Sequence, residues 1–204
     1  MPLLRSMVIF FFAVVFSGAA QAATILVWGD SLSAGYGLKS QEAWPTLLQT
    51  RLEREGFRHT VVNASVSGET SAGGRSRLPA ALDRHKPDLL ILELGANDGL
   101  RGLKPSFMAD NLSAMIRAAR EKGARVLLVG MQIPPNYGAA YTRRFQQTYA
   151  DVAREQNVPL VPFLLDGFAE RRELFQNDGI HPTAEAQELI VDTVWKQLVA
   201  MLKG

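Results

Sequence analysis

Five short apolar runs, separated by polar and glycine-containing segments, predict the strands of a buried sheet. A strand that is covered on both faces is apolar at almost every position, whereas a half-exposed strand alternates apolar and polar residues. The five runs belong to the first type. They lie at 25–28, 61–62, 88–94, 125–130 and 160–163.

Between these runs, apolar residues recur every three or four positions, which is the spacing of an amphipathic helix. In 42–55, for example, Trp44, Leu48 and Leu52 share one helical face and Gly56 ends the pattern. The predicted helices are 42–55, 72–84, 106–122, 141–156, 166–174 and 184–201. Alternation of strand and helix without a hairpin signal predicts an α/β fold, a three-layer α/β/α sandwich around a mainly parallel sheet of about five strands.

The first 22 residues have a different pattern from the rest of the chain. Arg5 precedes an apolar run at 7–16, and the small residues of Ala20-Gln21-Ala22 follow it. This pattern is typical of a secretory signal peptide that is cleaved after Ala22, and it predicts export to the periplasm. An uncleaved anchor is the alternative, although the run is shorter than the roughly 20 residues of a spanning helix. We therefore expect a signal peptide at 1–22 and one domain at 23–204.

Composition narrows the possible functions. The 204 residues include no cysteine, which excludes a disulfide framework, a lipid-modified cysteine and a cysteine-ligated metal. The net charge is only +2 and no basic block accompanies it, so nothing indicates a nucleic-acid partner. We expect a monomer that acts on small molecules, without a stably inserted membrane segment.

Polar or small residues follow each of the first three predicted strands: Ser31, Gly68 and Asn97. Parallel strands end at the same edge of a sheet, so these residues should surround one small volume. A hydroxyl, a backbone N–H and a side-chain amide are the parts of a nucleophile and an oxyanion hole, which acyl transfer requires. Alone, a serine in a turn is more often a turn residue or a helix N-cap.

A serine nucleophile also needs a base, and the chain has three histidines. His59 precedes a predicted strand and His85 lies among charged residues, so both suit ordinary surface positions. His181 follows Asp178 by three residues, which allows the carboxylate to accept a hydrogen bond from the imidazole and orient it. The alternative is that Asp178 or Thr183 only caps the last helix.

The chain resembles the SGNH (GDSL) hydrolase family, and most closely its bacterial periplasmic branch of multifunctional thioesterase, lysophospholipase and arylesterase enzymes. The resemblance rests on four blocks in the family's order: Gly29-Asp30-Ser31-Leu32, Gly68, Gly95-x-Asn97-Asp98 and Asp178-x-x-His181. It extends over essentially all of 23–204 and implies a flavodoxin-like sandwich. It also implies hydrolysis of acyl esters or thioesters with no cofactor and no metal.

Carried over to this chain, the resemblance gives each block a role. Ser31 would be the nucleophile, and Asp178 and His181 would complete the triad. The oxyanion hole would comprise the backbone N–H groups of Ser31 and Gly68 and the side-chain amide of Asn97.

Two other classes of function compete with this interpretation. Gly35-Tyr36-Gly37 begins a near match to the dinucleotide-binding G-x-G-x-x-G, but the third glycine and the acidic ribose ligand are missing. An exported, non-catalytic module that binds lipid or sugar is the second alternative, and it would not need the whole set of reactive residues. An assay with a chromogenic short-chain ester distinguishes this module from an enzyme.

One loop is the candidate for binding the acyl group of the substrate. Among the loops that follow the strands, 131–138 is the markedly apolar one, and we expect Ile133, Pro134 and Tyr137 to contact the acyl group. Its prolines would stiffen the loop, and Gly138 would allow it to hinge over a bound chain. The alternative is a packed structural loop that covers the sheet edge. The sequence leaves open which ester is the physiological substrate.

Overall fold

A computed structural model describes residues 23–203, and the predicted signal peptide lies outside this range. Five strands form one parallel sheet: β1 (Ala23–Gly29), β2 (His59–Asn63), β3 (Leu89–Glu93), β4 (Arg125–Val129) and β5 (Leu160–Val161). Their spatial order is β2-β1-β3-β4-β5. The predicted α/β sandwich with a five-stranded parallel sheet is therefore confirmed, and its strand order is the flavodoxin-like one.

Within residues 23–203, seven α-helices connect and cover the strands. They are α1 (Ser31–Ala34), α2 (Trp44–Arg54), α3 (Ser71–His85), α4 (Ala96–Leu100), α5 (Pro105–Glu121), α6 (Ala139–Gln156) and α7 (Gln187–Leu202). Helix α5 packs between α3 and α6 on one face of the sheet, and α2 packs against α7 on the other. Short 3₁₀ helices lie at Ser40–Glu42, Pro135–Tyr137, Arg172–Leu174 and Ala184–Ala186.

The apolar runs of β1 and β3 form the centre of the core. Strand β2, which we expected to be covered on both faces, is only partly buried because it lies at the edge of the sheet. Every residue of β3 is buried, as are Ile25, Leu26, Val27 and Trp28 of β1. Strands β1 and β3 are adjacent although β2 lies between them in the chain, so the strand order reverses at this point. In open α/β sheets such a reversal opens a crevice at the carboxyl ends of the strands, where ligands bind.

The structure corrects three details of the predicted elements. The predicted helix 166–174 is a series of turns ending in a 3₁₀ helix, because Gly167 adopts a left-handed conformation with φ of 83° that a helix cannot include. Helices α1 and α4 were not predicted, because four or five residues are too few to show a period.

In the region 23–203, no helix has the length and apolar character needed to cross a membrane.

Candidate active site

Ser31, His181 and Asp178 form a continuous chain of hydrogen bonds at the carboxyl edge of the sheet. Oγ of Ser31 lies 2.8 Å from Nε2 of His181, and Nδ1 of the same ring lies 2.7 Å from Oδ2 of Asp178. The carboxylate accepts from Nδ1–H, which leaves Nε2 free to take the serine proton. The structure thus brings together three residues that the sequence singled out separately.

The nucleophile turn is built by its own local sequence. Asp30 is the N-cap of α1, and its Oδ1 accepts a hydrogen bond of 3.0 Å from the backbone N–H of Leu32. Ser31 is the first residue of the helix, so its backbone N–H has no carbonyl partner within α1. The helix ends after one turn at Gly35, which adopts φ of 75°. Ser31 therefore presents both a hydroxyl and a backbone donor at the sheet edge.

The loop that carries His181 is closed by its own hydrogen bonds. Oδ1 of Asp178 accepts from the backbone N–H groups of Ile180 at 2.9 Å and His181 at 3.0 Å, so Oδ2 remains for the imidazole ring. The backbone N–H of Gln176 donates to the His181 carbonyl at 2.8 Å. All of these bonds lie within the loop, so they hold the acid and the histidine relative to each other without help from the rest of the domain.

Electrostatics favour an ionised acid in this loop. Partial burial raises the pKa of Asp178, but the hydrogen bonds from the two backbone N–H groups and the attraction of His181 outweigh it and lower this pKa to about 2. The carboxylate is therefore charged at any ordinary working pH. It can stabilise the imidazolium that forms when His181 accepts a proton.

Gly68 and Asn97 lie beside the nucleophile turn. Gly68 adopts φ of 77°, and its carbonyl accepts a hydrogen bond of 3.0 Å from the Arg101 side chain. Nδ2 of Asn97 donates to Oδ2 of Asp30 at 3.1 Å and to the Glu69 carbonyl at 3.0 Å. Asn97 is therefore bonded to the neighbours of both Ser31 and Gly68, which brings the three predicted oxyanion-hole residues together.

Both hydrogens of the Asn97 amide are already used by these contacts. Asn97 can therefore donate to a substrate oxygen only by sharing or exchanging one of these bonds. No local pattern predicts these contacts, because the partners are a carboxylate in the nucleophile turn and a backbone carbonyl after β2.

Asp98 is a site residue whose role sequence reasoning missed. Its buried carboxylate accepts from the backbone N–H of Ser71 at 2.8 Å and from the Ser71 hydroxyl at 2.6 Å. Asp98 thereby ties the start of α3, and the Gly68 turn just before it, to α4, which carries Asn97. The available signal was the carboxylate directly after Asn97 in the third sequence block.

The glycine-rich turn after α1 supports the histidine loop. The ring of Tyr36 lies 4.4 Å from the imidazole of His181 between centroids, and the Tyr36 carbonyl accepts a hydrogen bond of 2.8 Å from Gln176. A Cβ at Gly37 would collide with the Gln176 side chain. Gly37, one of the glycines that resemble part of a dinucleotide motif, thus leaves room for the Gln176 side chain of the histidine loop.

The predicted acyl loop lies next to α4. Ile133 is only 8% exposed and occupies the space where a side chain at Gly99 would lie. Pro134 is exposed, and Tyr137 is 37% exposed with its hydroxyl donating to the Leu100 carbonyl at 3.0 Å. The loop is thus anchored to the helix that carries Asn97, and its contact with substrate stays a prediction.

A parallel α/β sheet with a Ser–His–Asp chain at its carboxyl edge defines a serine hydrolase. Residues 27–189 match the GDSL-like lipase/acylhydrolase family. The chain belongs to that family.

Two curated relatives are similar to this chain over most of its length. It is 48% identical over 189 residues to the esterase TesA of Pseudomonas aeruginosa, covering 93% of this chain and 94% of the relative. It is 42% identical to thioesterase 1/protease 1/lysophospholipase L1 of Escherichia coli, covering 88% of this chain and 85% of the relative. The crystal structure of the psychrotrophic esterase EstA from Pseudoalteromonas, inhibited by monoethylphosphonate, has a TM-score of 0.85 and 39% identity, covering 89% of this chain and 99% of that one.

Proposed function

We propose that this chain hydrolyses carboxylic esters and thioesters of acyl chains through an acyl-enzyme on Ser31. The observation that carries the proposal is the hydrogen-bond chain from Ser31 through His181 to Asp178. The relatives, named as an esterase and as a thioesterase and lysophospholipase, support the same substrate class.

The reaction proceeds in two acyl transfers. Nε2 of His181 takes the proton of Ser31 as Oγ forms a bond to the substrate carbonyl carbon. The tetrahedral intermediate then expels the alcohol or thiol, which receives that proton from the imidazolium. A water molecule activated by the same nitrogen attacks the acyl-enzyme, and the carboxylic acid leaves as Oγ recovers its proton. Asp178 stays ionised throughout and orients the ring.

Negative charge develops on the substrate oxygen in both transfers. We assign its stabilisation to the backbone N–H groups of Ser31 and Gly68 and to the amide of Asn97. The first helical position of Ser31 and the contacts of Asn97 with Asp30 and Glu69 support this assignment. Backbone donors held by the fold stabilise this charge without reorganising, whereas the Asn97 amide must share or exchange one of its existing hydrogen bonds to contribute.

The test combines turnover and covalent labelling. The purified chain should hydrolyse a chromogenic short-chain ester, and an organophosphonate should add one mass increment at Ser31. Ser31→Ala should lose nearly all turnover, retaining at most roughly 10³ to 10⁴ over the uncatalysed rate. Ser40→Ala, which alters an exposed serine of a neighbouring turn, serves as the control and should behave like the unmodified chain. Labelling at a serine other than Ser31 would refute the assignment.

We also propose that residues 1–22 direct export and are removed, so that the mature enzyme works in the periplasm as a monomer. The apolar run and the Ala20-Gln21-Ala22 pattern support cleavage after Ala22. Intact-mass analysis of periplasmic protein should give a chain that begins at Ala23, and its size in solution should match one copy. Recovery of the full-length mass in the membrane fraction alone would favour an uncleaved anchor.

A further inference from the structure

A fully buried carboxyl group lies directly beneath the nucleophile turn. Glu93, the last residue of β3, is 0% exposed. Its Oε2 accepts a hydrogen bond of 2.7 Å from the hydroxyl of Ser33 and a longer one of 3.4 Å from the backbone N–H of Asp30. Its Oε1 has no hydrogen-bond partner among residues 23–203. The reaction described above does not use this group.

The strand opposite Glu93 is shaped to receive the carboxyl group. Gly29 is its register partner on β1, and a Cβ at Gly29 would lie 2.5 Å from Oε2 of Glu93 and 2.6 Å from the hydroxyl of Ser33. Gly29 is absent from the positive-φ glycines in 23–203, so the turn itself does not require glycine there. The missing side chain of Gly29 makes room for Glu93.

The surroundings favour the uncharged form of Glu93. Burial raises its pKa well above the usual range, and the neighbouring charge of Asp30 raises it further, whereas the hydrogen bonds from Ser33 and Asp30 oppose these effects only in part. The neutral acid accepts the same two hydrogen bonds without repelling Asp30.

We propose that Glu93 is a positioning residue for hydrolysis: its carboxyl group holds Asp30 and Ser33, on either side of Ser31, and so keeps the nucleophile within reach of His181. The inference rests on the proposed role of Ser31. Glu93 touches neither Ser31 nor the substrate site, and it acts through the backbone of the turn. Since Asn97 follows the same strand four residues later, β3 then sets the position of both the nucleophile turn and the oxyanion-hole amide.

Replacement of Glu93 by glutamine and by alanine separates this role from simple packing. Glu93→Gln keeps a carbonyl that accepts from Ser33 and Asp30, so kcat should stay within about threefold of the unmodified enzyme. Glu93→Ala removes the acceptor and should lower kcat by roughly tenfold to a hundredfold, with KM changed by no more than about twofold. Infrared spectra should show a protonated-carboxyl stretch that is missing in Glu93→Gln.

Ser33→Ala tests the same contact from the other side and creates only a small cavity. It should lower kcat by about fivefold to tenfold at unchanged KM, and it should add little to the loss in the Glu93→Ala background, because both variants break the hydrogen bond between Ser33 and Glu93. If Glu93→Ala does not fold, Ser33→Ala and Glu93→Gln decide the matter. An unchanged kcat in Ser33→Ala, or a loss in Glu93→Gln as large as in Glu93→Ala, overturns the proposal.

Phosphonate labelling distinguishes failure of this inference from failure of the proposed function. The unmodified chain is labelled first, and absence of the adduct at Ser31 would refute the nucleophile itself. If Ser31 is labelled, its labelling rate should fall in Glu93→Ala in parallel with kcat. Labelling of folded Glu93→Ala at the unmodified rate would overturn the positioning role and leave the nucleophile intact.

Discussion

The side-chain amide of Asn97 donates to the carboxylate of Asp30 across 3.1 Å, so a residue of the nucleophile turn holds the proposed oxyanion-hole amide directly. Asp30 uses its other oxygen to cap α1, where Ser31 is the first residue. One carboxylate thus positions two parts of the site.

The side-chain amide of Asn97 is expected to stabilise the transition state more than the bound substrate. Its amide is useful chiefly when charge has moved onto the substrate oxygen, so Asn97→Ala should lower kcat by about 10² to 10³ with a smaller change in KM. Steady-state kinetics on one ester test this. Gln146→Ala, which removes an exposed amide on α6, is the control. A defect confined to KM would assign Asn97 to substrate binding instead.

Protonation of Asp30 should lower activity on the acid side of the pH profile. Burial is the largest influence on Asp30 and raises its pKa from 3.8 to about 6, against the lowering effects of the Leu32 N–H, His181 and Asn97. Below this pH Asp30 becomes a poorer acceptor for Asn97, so kcat/KM should fall as the pH drops through about 6. Asp30→Asn should have a lower plateau and should lack this part of the fall. A pH profile of Asp30→Asn with the same shape as that of the unmodified enzyme would contradict the prediction.

That loss of activity should not be a loss of folding caused by Asp30. A carboxyl group whose pKa is raised in the folded state binds protons more readily there than in the unfolded chain. Between pH 3.8 and about 6, its contribution to stability therefore decreases as the pH rises and increases as the pH falls. Measurements of Tm across this range, in the unmodified chain and in Asp30→Asn, should show that difference.

Asp178→Asn should keep its fold but lose most activity. An amide at this position can still face the ring, but it neither holds the required tautomer nor stabilises the imidazolium, and a comparable change in the serine-protease triad lowers kcat by about 10⁴. We expect a loss of similar order here, measured as kcat with an activated ester. Turnover equal to that of the unmodified enzyme would mean that another group orients His181.

Tyr137 and Ile133 should differ in what they affect. Tyr137 is exposed at the rim, so Tyr137→Ala should reduce kcat/KM for a medium-chain ester more than for a short one, by up to about 1–3 kcal/mol of specificity. Tyr137→Phe, which loses only the hydrogen bond to Leu100, is the control. An equal fractional loss on both esters would assign the loop to structure.

Ile133 is buried, and its removal leaves a cavity against Gly99 and Phe145. Ile133→Ala should lower the free energy of unfolding by about 2–5 kcal/mol, which denaturant titration measures. A variant of unchanged stability would show that the loop packs elsewhere on the fold.

Much of the fold could be predicted because the buried strands β1, β3 and β4 are continuous runs of apolar residues. The convergence of Ser31 and Asn97 on one edge followed from the parallel direction of their strands. The order of the strands in the sheet did not follow from their direction, since it depends on which helix face packs on which side of the sheet. The one-turn helices α1 and α4 also gave no periodic signal, although they present the nucleophile and the amide.

The supporting residues were harder to predict than the reactive ones. Asp98 bonds to Ser71 across 27 positions of sequence and Glu93 to Ser33 across 60, and no local pattern encodes such contacts. Glu93 nevertheless left a trace, as the single charged residue at the end of the run Leu89-Leu90-Ile91-Leu92. An ionisable side chain in a strand buried on both faces needs hydrogen-bond partners, and here the nucleophile turn supplies them.

The self-closed loop around His181 also bears on the order of folding. Asp178 and His181 meet across three residues, whereas Ser31 meets His181 across 150. Local contacts form early because little chain entropy is lost in closing a short loop, and the long connection must wait until both ends of the domain are in place. The return of ester hydrolysis during refolding should therefore lag behind the return of the sheet. The time at which activity returns would show when the two ends of the domain meet.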